Sequence, residues 1–131
     1  METVILTNMC MVYDENEKVL VHNKIGNTSW CGLTFPGWHI EKNESLVDSV
    51  IRGVYEETGL SIENPILCGS KDWINSDGSR YLVLFFKANK YSGKIKSSSE
   101  GEMKWMTLED MKNGKWWSTW IKWLTFLLTI L

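Results

Sequence analysis

Residues 45–60, SLVDSVIRGVYEETGL, constrain the fold of this chain more than any other stretch. Apolar residues fall at 46, 47, 50, 51, 54 and 55, an i, i+3, i+4 rhythm that predicts an amphipathic helix from Ser45 to Thr58. Ser45 followed three residues later by Asp48 makes a start like a capping box, and Gly59–Leu60 makes a Schellman-type stop. With the apolar stripe assigned to a core, the charged residues are left on the outer edge. Arg52 and Glu56 are four apart and share a face. Glu57 lies about 100° further round the axis, and Glu44 comes just before the helix, two turns upstream of Arg52. Adjacent carboxylates repel unless something positive sits between them. Either water solvates this edge or a hard divalent cation, Mg²⁺ or Mn²⁺, occupies it. Such a cation suits pyrophosphate oxygens, whose charge it neutralises as water attacks phosphorus.

Around this helix the pattern is of strands. TVILTNMCMVYD (3–14) and EKVLVHNK (17–24) read as a hairpin turning at Asp14, Glu15 and Asn16. GLTFPG (32–37) reads as one short strand ending in a Pro-Gly turn. ILCGSKDWI (66–74), SRYLVLFFKANKY (79–91) and GEMKWMTL (101–108) read as three more, with SDG (76–78) turning between the first two and LEDMKNG (108–114) as a short helix or turn. Strands before and after one helix predict an α/β sandwich with a mixed sheet, in one domain over residues 1–131, since 131 residues supply one core and not two.

The stretch PGWHIEKNESLVDSVIRGVYEETGL (36–60) resembles the Nudix box, G-x5-E-x7-R-E-U-x-E-E-x-G-U with U aliphatic. Glu44, Arg52, Val54, Glu56, Glu57, Gly59 and Leu60 match at the correct spacing, and FPG (35–37) matches the family's entry loop. The resemblance extends over roughly residues 3–112. It implies a Nudix-type α/β/α sandwich and a MutT-like hydrolase of the 8-oxo-dGTP diphosphatase kind. Such an enzyme cleaves a nucleoside triphosphate to monophosphate and pyrophosphate with Mg²⁺ or Mn²⁺. Carried over residue by residue, Glu56 and Glu57 hold the metal together with the Gly37 carbonyl, Glu44 supports the cluster, and Arg52 organises the helix carboxylates. Lys24 stands where relatives place a basic phosphate contact, and Glu100 or Glu102, Glu100 by preference, where they bring a further catalytic carboxylate. Trp73 and Asn75, with Trp30, are candidates for a base pocket.

Two positions depart from the box. Gly53 stands where the first helical Glu belongs, which deprives Arg52 of that carboxylate and places glycine inside a helix. Trp38 stands at the box's leading Gly, where a positive φ would strain the loop; its ring is also a candidate to stack on a base. Activity is therefore expected to be impaired, about a hundredfold or more below that of a chain with the carboxylate restored. The competing reading is a weak or inactive nucleotide-binding module.

Net charge is −2 with 44% hydrophobic and 23% charged residues, which argues against a nucleic-acid polymer as partner. Cys10, Cys31 and Cys68 form no CxxC pair, so a reducing cytoplasm is expected, and METVILTNMC does not read as a signal peptide. KWWSTWIKWLTFLLTIL (115–131) holds four of the eight Trp in an amphipathic helical pattern, and is too short to predict a membrane span. It is open to several readings: a helix packed on the sheet, a homodimer or membrane-surface contact that would make this an interaction protein, or an altered reading frame.

Overall fold

The first strand, β1 (Val4–Val12), organises the molecule, because its alternating side chains enter two different cores. The computed structural model describes residues 1–24, 32–96 and 101–113. After β1 come β2 (Val19–Lys24), β3 (Gly32–Thr34), β4 (Gly37–His39), α1 (Leu46–Thr58), β5 (Leu60–Glu63), β6 (Ile66–Ile74), β7 (Arg80–Ala88), β8 (Lys90–Gly93), β9 (Gly101–Met106) and α2 (Leu108–Asn113). One sheet runs β4-β1-β7-β6, a second β3-β2-β9, and β5 pairs with β8. Within the first sheet β1 is antiparallel to β4 and parallel to β7, so the sheet is mixed.

Met9 and Met11 of β1 join a core with Val19, Val83, Phe85 and, from α2, Met111. Cys10 and Val12, on the opposite face, join Leu20, Val50, Val54 and Phe86. α1 therefore covers one core and α2 the other, while the second sheet sends Leu20 and Met103 into the first and Val19, Val21 and Met106 into the second. The predicted mixed α/β sandwich is the fold observed.

Local details differ from the expectation. The predicted hairpin of 3–14 and 17–24 closes only at a Tyr13–Val19 bridge, beyond which β1 and β2 part into different sheets. GLTFPG is not one strand: it divides into β3 and the start of β4, which sit in different sheets. The 79–91 run divides into β7 and β8, and the LSIE segment after the helix forms β5, which the sequence reading passed over. The helix itself begins and ends as predicted. Ser45 Oγ accepts a bond from the Asp48 N–H at 3.0 Å, and Gly59 closes it at φ 85° with its N–H donating to the Tyr55 carbonyl. Its buried face, however, is rotated from the predicted stripe. Leu46, Val47 and Tyr55 are exposed, while Ser49, Val50, Gly53, Val54 and Thr58 are buried. The reason lies in the partner surface: α1 packs on β1 and β4, where the polar side chain of Asn8 comes up to meet it. Val50 and Val54 anchor the contact, each worth about 1.5–3 kcal/mol when fully buried.

Candidate functional site

Arg52 is the hub of the helix edge. Its Nε and Nη2 donate to the two oxygens of Glu44, at 3.0 and 2.7 Å. Nη1 donates to Glu56 Oε2 at 3.1 Å, and Nη2 also reaches the His39 carbonyl at 3.1 Å. The fork geometry of a guanidinium is what makes this two-point grip on a carboxylate possible. The Glu41 N–H donates to Glu44 Oε1 at 2.7 Å, so the loop before α1 is fastened to the same group. Hydrogen bonding to Arg52, followed by that to the Glu41 N–H, holds the Glu44 carboxyl below its usual range. Arg52 has therefore not lost its carboxylate partner, as the glycine at 53 suggested. Glu44 takes that place, and Glu56 supplements it.

Glu57 is held differently. Its Oε2 accepts from the Gly37 N–H at 3.0 Å, and its Oε1 lies 2.7 Å from His22 Nδ1. The side chains of His22 and Glu57 are only 1% and 9% exposed, so this pair is enclosed. With Glu57 ionised, its oxygens only accept, and Nδ1 is the donor of this bond. Glu56 and Glu57, adjacent in sequence, thus point to separate partners. His22 was passed over in the sequence as a lone histidine. The signal that could have found it is its place directly after the apolar run Val19–Val21.

Gly53 is buried, not on the solvent edge, and faces β4. A β-carbon there would lie 3.2 Å from Trp38 Cβ and 4.0 Å from Asn8 Oδ1. Trp38 is not strained: it lies in β4 and is absent from the residues with positive φ. Asn8, 3% exposed, ties the junction together. Its Nδ2 donates to Ser49 Oγ at 2.7 Å, and its Oδ1 accepts from the Trp38 N–H at 3.2 Å. Asn8 is a second functional-region residue that sequence reasoning missed. An amide in the middle of a β-branched and apolar strand is a poor strand former and was the available clue.

Beside this junction opens a cleft of about 550 Å³, a size suited to a small organic ligand. Gly37, Trp38 and His39 line it on one side and Trp73, Asn75 and Tyr81 on the other. Trp73 stacks on Tyr81 with centroids 4.6 Å apart and planes 13° from parallel. Asn75 Oδ1 accepts from Trp73 Nε1 at 3.2 Å, and its Nδ2 donates to Ser79 Oγ at 3.0 Å. Trp73 and Asn75 therefore stand together at the cleft, already braced against each other. The backbone of Lys24 ends β2, but its side chain, like Glu100, Trp30, Cys31 and the Trp-rich segment 115–131, lies outside the described residues.

The donor set falls short of the metal cluster that the resemblance implies. Among the described residues no group of three or more His, Cys, Asp or Glu side chains is placed to hold a metal ion. Gly53 offers no ligand, Glu44 is gripped by Arg52, and both oxygens of Glu57 are engaged. The described residues do not make up that cluster.

The sequence matches the NUDIX domain over residues 5–124. The chain belongs to the Nudix family. The Nudix family binds nucleotide substrates, and its hydrolases generally use divalent metal ions. The uncharacterized Nudix hydrolase YvcI of Bacillus subtilis (strain 168) is 36% identical over 107 residues, covering 78% of this chain and 66% of YvcI. Across the curated relatives it matches, the chain spans between 52% and 66% of their length. Among solved structures, the mutator MutT protein from Bacillus halodurans is 29% identical with a TM-score of 0.71, over 86% of this chain and 74% of that one. A MutT structure from work on Aliivibrio salmonicida and Vibrio cholerae superposes with a TM-score of 0.83, over 98% of this chain and 100% of that one. At 15% identity that likeness bears on the Nudix fold alone. Among the described residues no helix is long and apolar enough to cross a membrane.

Proposed function

We propose that this chain is a cytoplasmic Nudix pyrophosphohydrolase of nucleoside triphosphates. It cleaves substrate to nucleoside monophosphate and pyrophosphate, slowly, because its helix carries two of the three carboxylates that the box places on the helix. The observation that carries the reading is the fastening of α1 to the entry loop through Glu57 and the Gly37 N–H, beside the 550 Å³ cleft. That contact supports the reading because it holds the entry loop against α1 even with Gly53 in place. The MutT likeness favours an 8-oxo-dGTP-like purine nucleotide, for which Trp73 and Asn75 would supply the base contacts and Lys24 a phosphate contact. Mg²⁺ or Mn²⁺ is the cation suited to carboxylate and phosphate oxygens. Glu100 is the proposed additional carboxylate. Residues 1–131 act as one domain in this reading, with homodimerisation through 115–131 as its open extension.

A second reading, nucleotide binding with negligible turnover, draws on the missing ligand at Gly53. Product analysis on a nucleotide panel including 8-oxo-dGTP, with Mg²⁺, Mn²⁺ or EDTA, separates the two. Slow, cation-dependent formation of monophosphate and pyrophosphate supports the first. Saturable binding without products supports the second, and neither binding nor products overturns both.

A further inference from the structure

The two departures from the Nudix box, 15 residues apart in sequence, meet in space. A β-carbon on Gly53 would approach Trp38 Cβ to 3.2 Å, closer than packed β-carbons ordinarily come. Trp38 Cβ has little freedom to retreat, because it moves only with the backbone of β4. That backbone is pinned three ways: Trp38 is in register with Asn8 of β1, its N–H donates to Asn8 Oδ1 at 3.2 Å, and the neighbouring Gly37 N–H donates to Glu57 at 3.0 Å. On the other side, α1 is held at its distance by the 2.7 Å bond from Asn8 Nδ2 to Ser49 Oγ, one turn from Gly53. Strand and helix are thus drawn together by the same amide, at a separation where a second β-carbon would force one of them to give by a few tenths of an ångström.

We propose that residues 38 and 53 are a reciprocal steric pair: the β-carbon of Trp38 penalises any side chain at 53, and so disfavours the helix carboxylate at this Nudix site. The two departures are one change, not two. Trp38 is in this sense a positioning residue, acting through what it lets position 53 carry. The inference rests on the Nudix reading for its meaning, but its first test does not depend on activity.

The contact is between β-carbons, so the side chain beyond Cβ is not what matters. Gly53→Ala is made in the parent, in Trp38→Ala, which keeps the β-carbon, and in Trp38→Gly, which removes it. Gly53→Ala is expected to lower Tm by about 4 °C in the first two backgrounds. In the Trp38→Gly background it is expected to raise Tm, as replacement of a helix-interior glycine otherwise does. An equal effect in all three backgrounds overturns the proposal. Should Trp38→Gly fail to fold, Gly53→Ala in the parent decides: a Tm unchanged or raised overturns it, and a fall sustains it. The functional arm uses Mn²⁺ alone as probe. The double variant Trp38→Gly with Gly53→Glu is expected to bind Mn²⁺ at least about tenfold more tightly than Gly53→Glu by itself, roughly the step one added hydrogen-bonding or ligating charge supplies. Equal Mn²⁺ affinity in the single and double variants overturns it, whatever the outcome with nucleotides.

Discussion

His22 Nδ1 lies 2.7 Å from Glu57 Oε1, and the other oxygen of Glu57 accepts from the Gly37 N–H, so a buried histidine on β2 links helix α1 to the entry loop. His22 Nε2 is itself buried with no partner among the described residues, which leaves Nδ1 as the side chain's one structural bond there. Replacing His22 by Leu removes the donor and leaves a carboxylate oxygen enclosed and unsatisfied, at a cost of about 1–3 kcal/mol. Urea denaturation is expected to show that loss, with His22→Gln, which can still donate, recovering part of it. Equal stability in the Leu and Gln variants would show that the bond contributes nothing.

Asn8 should prove more sensitive than its size suggests. Its amide satisfies both Ser49 on α1 and the Trp38 N–H on β4. Asn8→Ala breaks both bonds in a buried setting, which predicts a loss of about 3 kcal/mol, two unsatisfied groups at the usual cost for each. Chemical denaturation measures it, and a loss no greater than that of an ordinary exposed substitution would refute the bridging role.

Acid should weaken the Arg52–Glu44 clamp in a definable window. The folded Glu44 carboxyl titrates below its ordinary value of 4.5, chiefly because Arg52 donates to it. A depressed carboxylate stabilises the fold fully above the unfolded value and loses that contribution as pH falls through the folded one. Melting temperatures of the parent and Glu44→Gln are therefore expected to differ at pH 7 and to converge below 4.5. A gap that persists undiminished at low pH would assign the effect to packing.

Burial pushes the Cys10 thiol well above the ordinary cysteine range. Native protein treated with iodoacetamide near pH 8 is expected to leave Cys10 unmodified, because the thiolate is the reactive form. Peptide mapping before and after urea tests this, the label appearing at Cys10 only in urea.

The Nudix-like helix was legible because its start, stop and charged residues follow local rules: Ser45, Gly59, Arg52, Glu56 and Glu57 all announce themselves by spacing. Its orientation was not. Hydrophobicity placed Leu46, Val47 and Tyr55 inward, whereas the surface it packs on carries Asn8 and Trp38, so small residues at 49 and 53 went in instead. The same limit applies at the site. Spacing grouped the carboxylates correctly on one stretch of chain, but which partner each one takes depends on residues far away in sequence. Glu57 is bound 35 positions from His22, and Gly53 is filled from β4. Trp73 and Asn75, chosen as softer candidates, share the cleft because β6 and β7 bring Trp73 against Tyr81, a register that periodicity alone does not supply.

Pyrophosphate release from a nucleotide panel in the presence of Mg²⁺, by the parent chain beside Glu57→Gln, is the most direct measurement. A slow hydrolase that depends on its remaining helix carboxylates predicts release from at least one nucleotide by the parent, and a further fall of about a hundredfold in Glu57→Gln. No release by the parent from any nucleotide, or release that Glu57→Gln leaves unchanged, would contradict it.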